Sequence, residues 1–278
     1  MRGSDRPPPP GRFRPTAGTY RSDTPGSARD VFITVYGRIP VLEALRNHAI
    51  RVDKMLLADH ATGPAAAELL QAAAARQVTV HRVAAHRVTN ISRNGRQDQG
   101  VVADIQAPRM QPLDAWATTV QPDALLRVLV LDGVATPGNV GMIIRTATAA
   151  GIDQIVLPRT GTPDISPLVI KASAGVAFVA PILRCATCLD AVRRLSELGC
   201  TVHGLRAGGD GESVFAQTWP RRSAFVLGAE TTGVSPEVAA RIDTWVRIPH
   251  AGAVESLNVA AAAAVLCFEL LRTRPGGA

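Results

Sequence analysis

From Arg127 onward, short apolar runs alternate with helix-like stretches, and few architectures accommodate that alternation. Val128 to Asp132 is a continuous apolar run, the pattern of a strand covered on both faces. The spacing then predicts a helix over Gly138 to Ala150, a strand over Gln154 to Pro158 and a helix over Ile165 to Ala174. Phe178 to Ile182 reads as strand, Cys188 to Leu198 as helix, and Thr201 to Leu205 as strand. Ala224 to Gly228 and Trp245 to Pro249 are further strands, and Ser256 to Arg272 is the last helix. Strands that alternate with helices stack into a parallel sheet with helices on both faces, so residues 127–278 are expected to form one α/β domain.

Upstream, residues 31–108 carry a smaller α/β pattern. It has helices at Val41 to Asn47 and Pro64 to Arg76, and strands at Lys54 to Ala58, Val78 to Arg82 and Val101 to Ile105. Pro108, Pro112 and Pro122 punctuate a connecting stretch, and residues 109–126 are expected to be a linker. Residues 1–30 hold Pro7 to Pro10, Pro15, Pro25 and six arginines, and such a segment is expected to be a disordered basic tail. Hydrophobic residues make up 46% of the 278 residues but aromatics only 4%, so Ala, Val, Leu and Ile must fill the core. The apolar stretch Leu257 to Leu271 is too short to span a bilayer. No apolar segment follows the N-terminal arginines as a secretory signal requires. No membrane association and a cytoplasmic location are therefore expected. The formal net charge is +7, which suits a polyanionic partner. Cys185 and Cys188 form a CxxC, but Cys200 and Cys267 stand alone without a histidine pair, so no metal site is expected.

In open parallel sheets, ligands bind beyond the carboxyl ends of the strands. Three segments fall there. In the first, Asp132 to Arg145, Gly138 is followed by Asn139 and Val140, so the lysine of a phosphate-binding loop is missing. The spacing Gly133, Gly138, Gly141 also fails the dinucleotide fingerprint. What remains is a strand-to-helix turn carrying Asn139, with Arg145 about a turn and a half into the helix among apolar neighbours. In the second, Leu227 and Gly228 close a buried strand and Glu230 follows, with Gly228 allowing close backbone approach to a ligand. In the third, Ile248 and Pro249 leave a strand and enter a loop that feeds a helix at Ser256. Backbone N–H groups there, with Ser256 and Asn258 beside them, can hold a polar ligand. His250 reads as a surface loop histidine. The five alanines from Ala260 to Ala264 let the last helix pack closely against another element.

Together the three segments resemble the signature motifs of the SpoU (TrmH-type) RNA 2′-O-methyltransferases of the SPOUT class. The matching residues are Asn139, Gly141 and Arg145; then Leu227, Gly228, Glu230 and Gly233; then Ile248, Pro249, Gly252, Ser256, Leu257 and Asn258. Residues 31–108 are similar to the L30e-like substrate-binding domain of the 23S rRNA guanosine methyltransferase subfamily, through Tyr36-Gly37, Pro40 to Leu45 and Gln99-Gly100-Val101. The chain departs from the pattern at His250, at Thr231 and Thr232, and at Met142.

The resemblance implies S-adenosylmethionine as cofactor, no metal, a C-terminal trefoil knot, and a homodimer whose active site borrows residues across the interface. The reaction it implies is attack of a ribose 2′-oxygen on the sulfonium methyl, with 23S rRNA as the leading substrate. Arg145, Asn139, Glu230, Ser256 and Asn258 are then the catalytic set. A guanidinium is a poor proton acceptor, so Arg145 is expected to act as a donor to developing charge or to an adjacent phosphate. Asn139, Ser256 and Asn258 orient the ribose and loop, and Glu230 orders the site and Arg145. Gly228, Ile248, Leu257, Leu227 and Pro249 line the cofactor pocket. An antibiotic-resistance 23S rRNA methyltransferase and a tRNA 2′-O-methyltransferase share these residues. A non-catalytic RNA-binding ribosome assembly factor is the alternative of a different kind.

Overall fold

The computed structural model of the chain describes residues 32–48, 50–208, 210–251 and 255–275. The expected tail at 1–30 and motif residue Gly252 lie outside them.

The first unit is built on β1 (Phe32–Tyr36), α1 (Arg38–Arg46), β2 (Arg51–Ala58), α2 (Pro64–Ala75), β3 (Thr79–Val83), α3 (Ala85–Ser92) and β4 (Val101–Gln106). Its four strands lie in the order β1-β4-β2-β3. β4 runs antiparallel to both β1 and β2, while β2 and β3 are parallel. β1 and α3 are additions to the sequence-based expectation. The β1–β4 pairing brings two separated sequence features together. Gly37 donates its N–H to Val101 O at 3.2 Å, and the Arg38 N–H donates to Gln99 Oε1 at 3.0 Å. Gly37 has φ +90°, and a Cβ there would lie 3.1 Å from Gln97 O, so the crossing of these loops needs glycine.

The stretch expected to be a linker contains two elements over residues 111–117. β5 (Gln111–Pro112) pairs with a strand of the second unit, and α4 (Leu113–Ala117) buries Leu113 and Trp116 beneath it. The remaining elements are β6 (Leu126–Leu131), α5 (Pro137–Ala149), β7 (Gln154–Pro158), α6 (Pro167–Ala172), β8 (Ile182–Cys185), α7 (Cys188–Glu197), β9 (Thr201–Arg206), β10 (Glu212–Ser213), β11 (Arg222–Leu227), α8 (Pro236–Ala239), β12 (Thr244–Arg247) and α9 (Val259–Arg272). All eight strands of the second sheet are parallel, in the order β10-β12-β9-β11-β6-β7-β8-β5. This is the α/β architecture expected from the alternation of strands and helices.

β6 is buried at every position, as its continuous apolar run requires. The exception in kind is Arg127, 2% exposed, whose Nη1 donates to Leu126 O, Pro220 O and Arg221 O. Burial pushes its pKa down; the three carbonyls engage Nη1, while the buried Nε has no hydrogen-bond partner among the described residues. Proline at the first helical turn starts α2, α5, α6 and α8, where its missing N–H costs nothing. A Thr187–Asp190 capping box starts α7.

Two expected elements differ. The strand placed at Phe178 to Ile182 is instead a 3₁₀ turn over Val176–Phe178, followed by β8 at Ile182–Cys185. The final helix begins at Val259 rather than Ser256, because the Asn258 side chain caps it by accepting from the N–H groups of Ala260 and Ala261.

α5 packs between α6 and α9. A Cβ at Gly141 would lie 2.5 Å from Ala172 Cβ and 2.6 Å from Val169 O, so this glycine sets the α5–α6 distance. Ala260 and Ala263 are buried on α9, as expected of a helix that packs closely.

Candidate functional site

β6 and β11 pair in parallel register, and the chain leaves the sheet to opposite sides from them: β7 beside β6, β9 beside β11. That reversal opens a crevice at their carboxyl ends. The three sequence segments converge on it.

Asp132, 8% exposed, ends β6 and accepts the Ser235 N–H on Oδ2 at 2.6 Å. This ties the loop after β11 to the end of β6. Sequence reading missed this residue; the signal was an acid placed directly after a fully apolar strand. After β11, Ala229 and Gly233 exchange two backbone hydrogen bonds of 2.9 Å and close a tight turn that carries Glu230. Gly233 has φ +68°, which closes this turn. The chain's own turn also requires glycine at position 228, because a Cβ there would meet Gly233 C at 2.2 Å and Val234 N at 2.3 Å.

Three side chains meet at the crevice. Asn139, buried in the first turn of α5, donates from Nδ2 to Glu230 Oε1 at 2.8 Å. Asn258 Nδ2 donates to the same oxygen at 2.8 Å and lies 3.3 Å from Asn139 Oδ1. Each amide therefore has its oxygen and nitrogen roles set by its partners.

Beside this triangle lies a cleft of about 540 Å³. Leu227, Gly228, Ile248 and Leu257, expected to contact a cofactor, all line it, as do Glu230 and Ser256. Pro249 is exposed and is not among the lining residues. His250, exposed as expected, also lines the cleft, with Nδ1 3.0 Å from Ile248 O. The sequence reading omitted Arg206 and Trp245, two further lining residues.

Arg145 is exposed, and among the described residues it makes no hydrogen bond or ion pair. Glu230 accepts from the two asparagines, and among the described residues it makes no hydrogen bond or ion pair with Arg145. Six residues separate Asn139 from Arg145, which at 100° per residue turns them to different faces of α5.

Cys188 of the CxxC packs in the second core cluster, beside Asp132. Burial pushes the Cys185 thiol up to about 12 and the Cys188 thiol further. Among the described residues no group of three His, Cys, Asp or Glu side chains gathers as metal ligands would, and no helix is long and apolar enough to cross a membrane.

The chain matches two family models. One, the SpoU rRNA Methylase family, covers residues 126–268; the other, RNA 2′-O ribose methyltransferase substrate binding, covers residues 34–111. It is 32% identical over 246 residues to a 23S rRNA (guanosine-2′-O-)-methyltransferase of Pseudomonas syringae pv. tomato, covering 86% of this chain and 95% of the relative. It is 36% identical over 198 residues to the enzyme of the same name in Bordetella pertussis, covering 71% and 79%. Among solved structures, an AdoMet-bound rRNA methyltransferase from Sinorhizobium meliloti matches with a TM-score of 0.58 at 27% identity, covering 87% of each chain. The SpoU methyltransferase AviRb from Streptomyces viridochromogenes, in complex with AdoMet, matches with a TM-score of 0.58 at 26% identity, covering 88% of this chain and 91% of that one.

Proposed function

We propose, from the premise that this chain belongs to the SpoU rRNA methylase family, that it transfers a methyl group from S-adenosylmethionine to a ribose 2′-hydroxyl of structured RNA, with 23S rRNA as the substrate. The observation that carries the reading is the triangle of Asn139, Glu230 and Asn258, which joins all three signature motifs at the edge of one cleft. Residues 31–108 act as the substrate-binding domain and residues 127–278 as the catalytic domain.

The cleft's chemistry fits the cofactor. Leu205, Leu227, Ile248, Leu257 and Val259 offer apolar surface, and Glu230 is its one carboxylate among the described lining residues. Bound there, S-adenosylmethionine supplies a methyl group already activated by a cationic sulfur, so methyl transfer needs alignment rather than leaving-group activation. Glu230 favours that positive charge, and the two asparagines hold its carboxylate in place. Ser256, exposed at the lip, orients the ribose. Arg145 stabilises the developing oxyanion or clamps the neighbouring phosphate, and a phosphate oxygen or water accepts the proton. Its exposure and lack of partners among the described residues support a role toward substrate rather than structure.

A homodimer belongs to the same proposal. Met142 on α5 is 44% exposed and Phe268 on α9 is 51% exposed, and these helices pack side by side. A second copy covering that face would bring Arg145, three residues from Met142, to the interface. The trefoil knot expected of such a domain is part of this reading too.

The test is transfer of labelled methyl from S-adenosylmethionine to 23S rRNA, with mapping of 2′-O-methyl sites. Arg145→Ala should lower transfer at least about 100-fold, the scale of one oxyanion donor, and leave cofactor affinity within about twofold. Normal turnover by that variant would refute the assignment.

A further inference from the structure

β9 and β12 pair Gly204 directly with Trp245. A Cβ at position 204 would lie 2.6 Å from Cζ3 and 2.8 Å from Cε3 of that indole. The six-membered ring therefore lies down across β9, in space that any side chain would fill. Arg206, two residues on, shares that face of the strand. Its guanidinium carbon lies 5.3 Å from the centre of the Trp245 ring, within cation–π range. Both residues line the cleft. Among the described lining residues, Trp245 provides the one large aromatic surface and Arg206 the one Lys or Arg charge, while Glu230 belongs to the turn after the neighbouring strand β11.

We infer that Trp245 is the stacking platform for the purine ring of the adenosyl cofactor, and that Gly204 and Arg206 hold the indole in the orientation stacking needs. This deepens the function proposed above and rests on it. An adenosyl sulfonium ligand has one flat π system and one cationic centre. The cation belongs beside the carboxylate, which leaves the purine for the indole. Stacking on an indole uses the face of the base and complements an otherwise aliphatic cleft. Arg206 restrains the ring from the strand on which Gly204 makes room for it. The competing use of this end of the cleft is an ion pair between Arg206 and the ligand's amino-acid carboxylate, and the fragments of the ligand separate the two.

The experiment titrates the full-length protein with S-adenosylhomocysteine, adenosine and methionine, following tryptophan fluorescence and calorimetric heat in parallel. Trp116 and Trp219 are buried, so a ligand-dependent change should come from Trp245. Quenching is expected with S-adenosylhomocysteine and, at higher concentration, with adenosine, and not with methionine. Trp245→Phe should abolish the quench and keep affinity within about threefold. Trp245→Ala should weaken S-adenosylhomocysteine binding by about tenfold or more. Arg206→Gln should weaken adenosine and S-adenosylhomocysteine equally. Unchanged affinity in Trp245→Ala, a quench that survives in Trp245→Phe, or a response to methionine but not adenosine overturns the inference. Should Trp245→Ala fail to fold, the Phe variant and the fragment titrations on the wild-type chain still decide it. Heat without a Trp245 signal overturns this inference alone. Absence of heat from the wild-type chain overturns the methyltransferase reading and this inference with it.

Discussion

Asn258 uses the two ends of one amide for two tasks, and substitution can part them. Its Oδ1 caps α9 by accepting from Ala260 and Ala261 at 2.9 and 3.3 Å. Its Nδ2 reaches Glu230 at 2.8 Å. Asn258→Ala removes both. Loss of an N-cap costs ~1 kcal/mol. Loss of a hydrogen bond to a carboxylate costs ~1.5–3 kcal/mol when buried, but Asn258 is exposed and water recovers part of it, so ~1 kcal/mol is the share to expect. The total of ~2 kcal/mol lowers Tm by about 4–8 °C in a domain of this size. Asn258→Ser keeps a capping oxygen and loses the donor to Glu230, so it should recover about half of the Tm loss. Asn258→Asp also keeps the cap but sets a second carboxylate against Glu230. Thermal unfolding followed by circular dichroism, with methyl transfer to rRNA measured on the same preparations, separates the effects. All three variants should lose at least about tenfold in transfer, while Asn258→Ala melts lowest or level with Asn258→Asp. Wild-type transfer by Asn258→Ser would refute the role of the Glu230 contact, and a wild-type Tm for Asn258→Ala would refute the cap.

Gly228→Ala forces a Cβ into the backbone of Gly233 and Val234, and overpacking of this kind costs ~1–3 kcal/mol. The variant should melt lower and lose cofactor binding in calorimetry; unaltered binding would mean the turn carrying Glu230 can shift freely. Burial between Phe225 and Trp219, opposed by Asp243, pushes the His203 imidazole down from 6.5 to about 4. The unfolded chain then takes up a proton the folded chain refuses, so stability is full above about pH 6.5 and falls by up to about 3 kcal/mol as pH drops through 4. His203→Leu should flatten that part of the denaturation-versus-pH curve, and an unchanged slope would count against it. Phe268→Glu, on the exposed apolar face of α9, should shift the chain to monomer in sedimentation and cut methyl transfer; an unchanged oligomeric state would place the interface elsewhere.

How far the sequence could be read depended on the range of the interactions involved. β6, α5 and β11 were legible because apolar runs, helical spacing and an acid after a buried strand are local signals. The convergence of the three motifs followed from strand polarity alone, since every strand of a parallel sheet delivers its carboxyl end to one edge. The partners of individual side chains were not legible. Nothing local says that Glu230 accepts from Asn139 and Asn258, 91 and 28 residues away, and leaves Arg145 exposed. Trp245 and Arg206 were missed because their relation needs the β9–β12 register, although a glycine inside a predicted buried strand was a usable sign that something lies across it. β5 and α4 were read as linker because three prolines in a short stretch look like punctuation, whereas an edge strand of two residues tolerates Pro112.

The start of α9 joins these two levels. Ser256 and Asn258 are both good N-caps, and an alanine run follows either one, so local preference leaves the boundary open over three positions. Capping at Ser256 would wind Leu257 and Asn258 into the first turn, where Asn258 would give up the cap that now anchors its amide. Capping at Asn258 satisfies the Ala260 and Ala261 N–H groups with Oδ1 and leaves Nδ2 directed at Glu230. Ser256 and Leu257 then remain outside the helix, where both line the cleft. The contact with Glu230 thus adds a long-range preference to a local choice that was nearly even. The same hydrogen bond that completes the site also sets where the helix begins, so a variant that loses the donor should loosen the 255–257 segment as well as the triangle. Faster amide exchange at Leu257 in Asn258→Ser than in the wild-type chain is the result this coupling requires; equal exchange would leave the cap as a purely local feature.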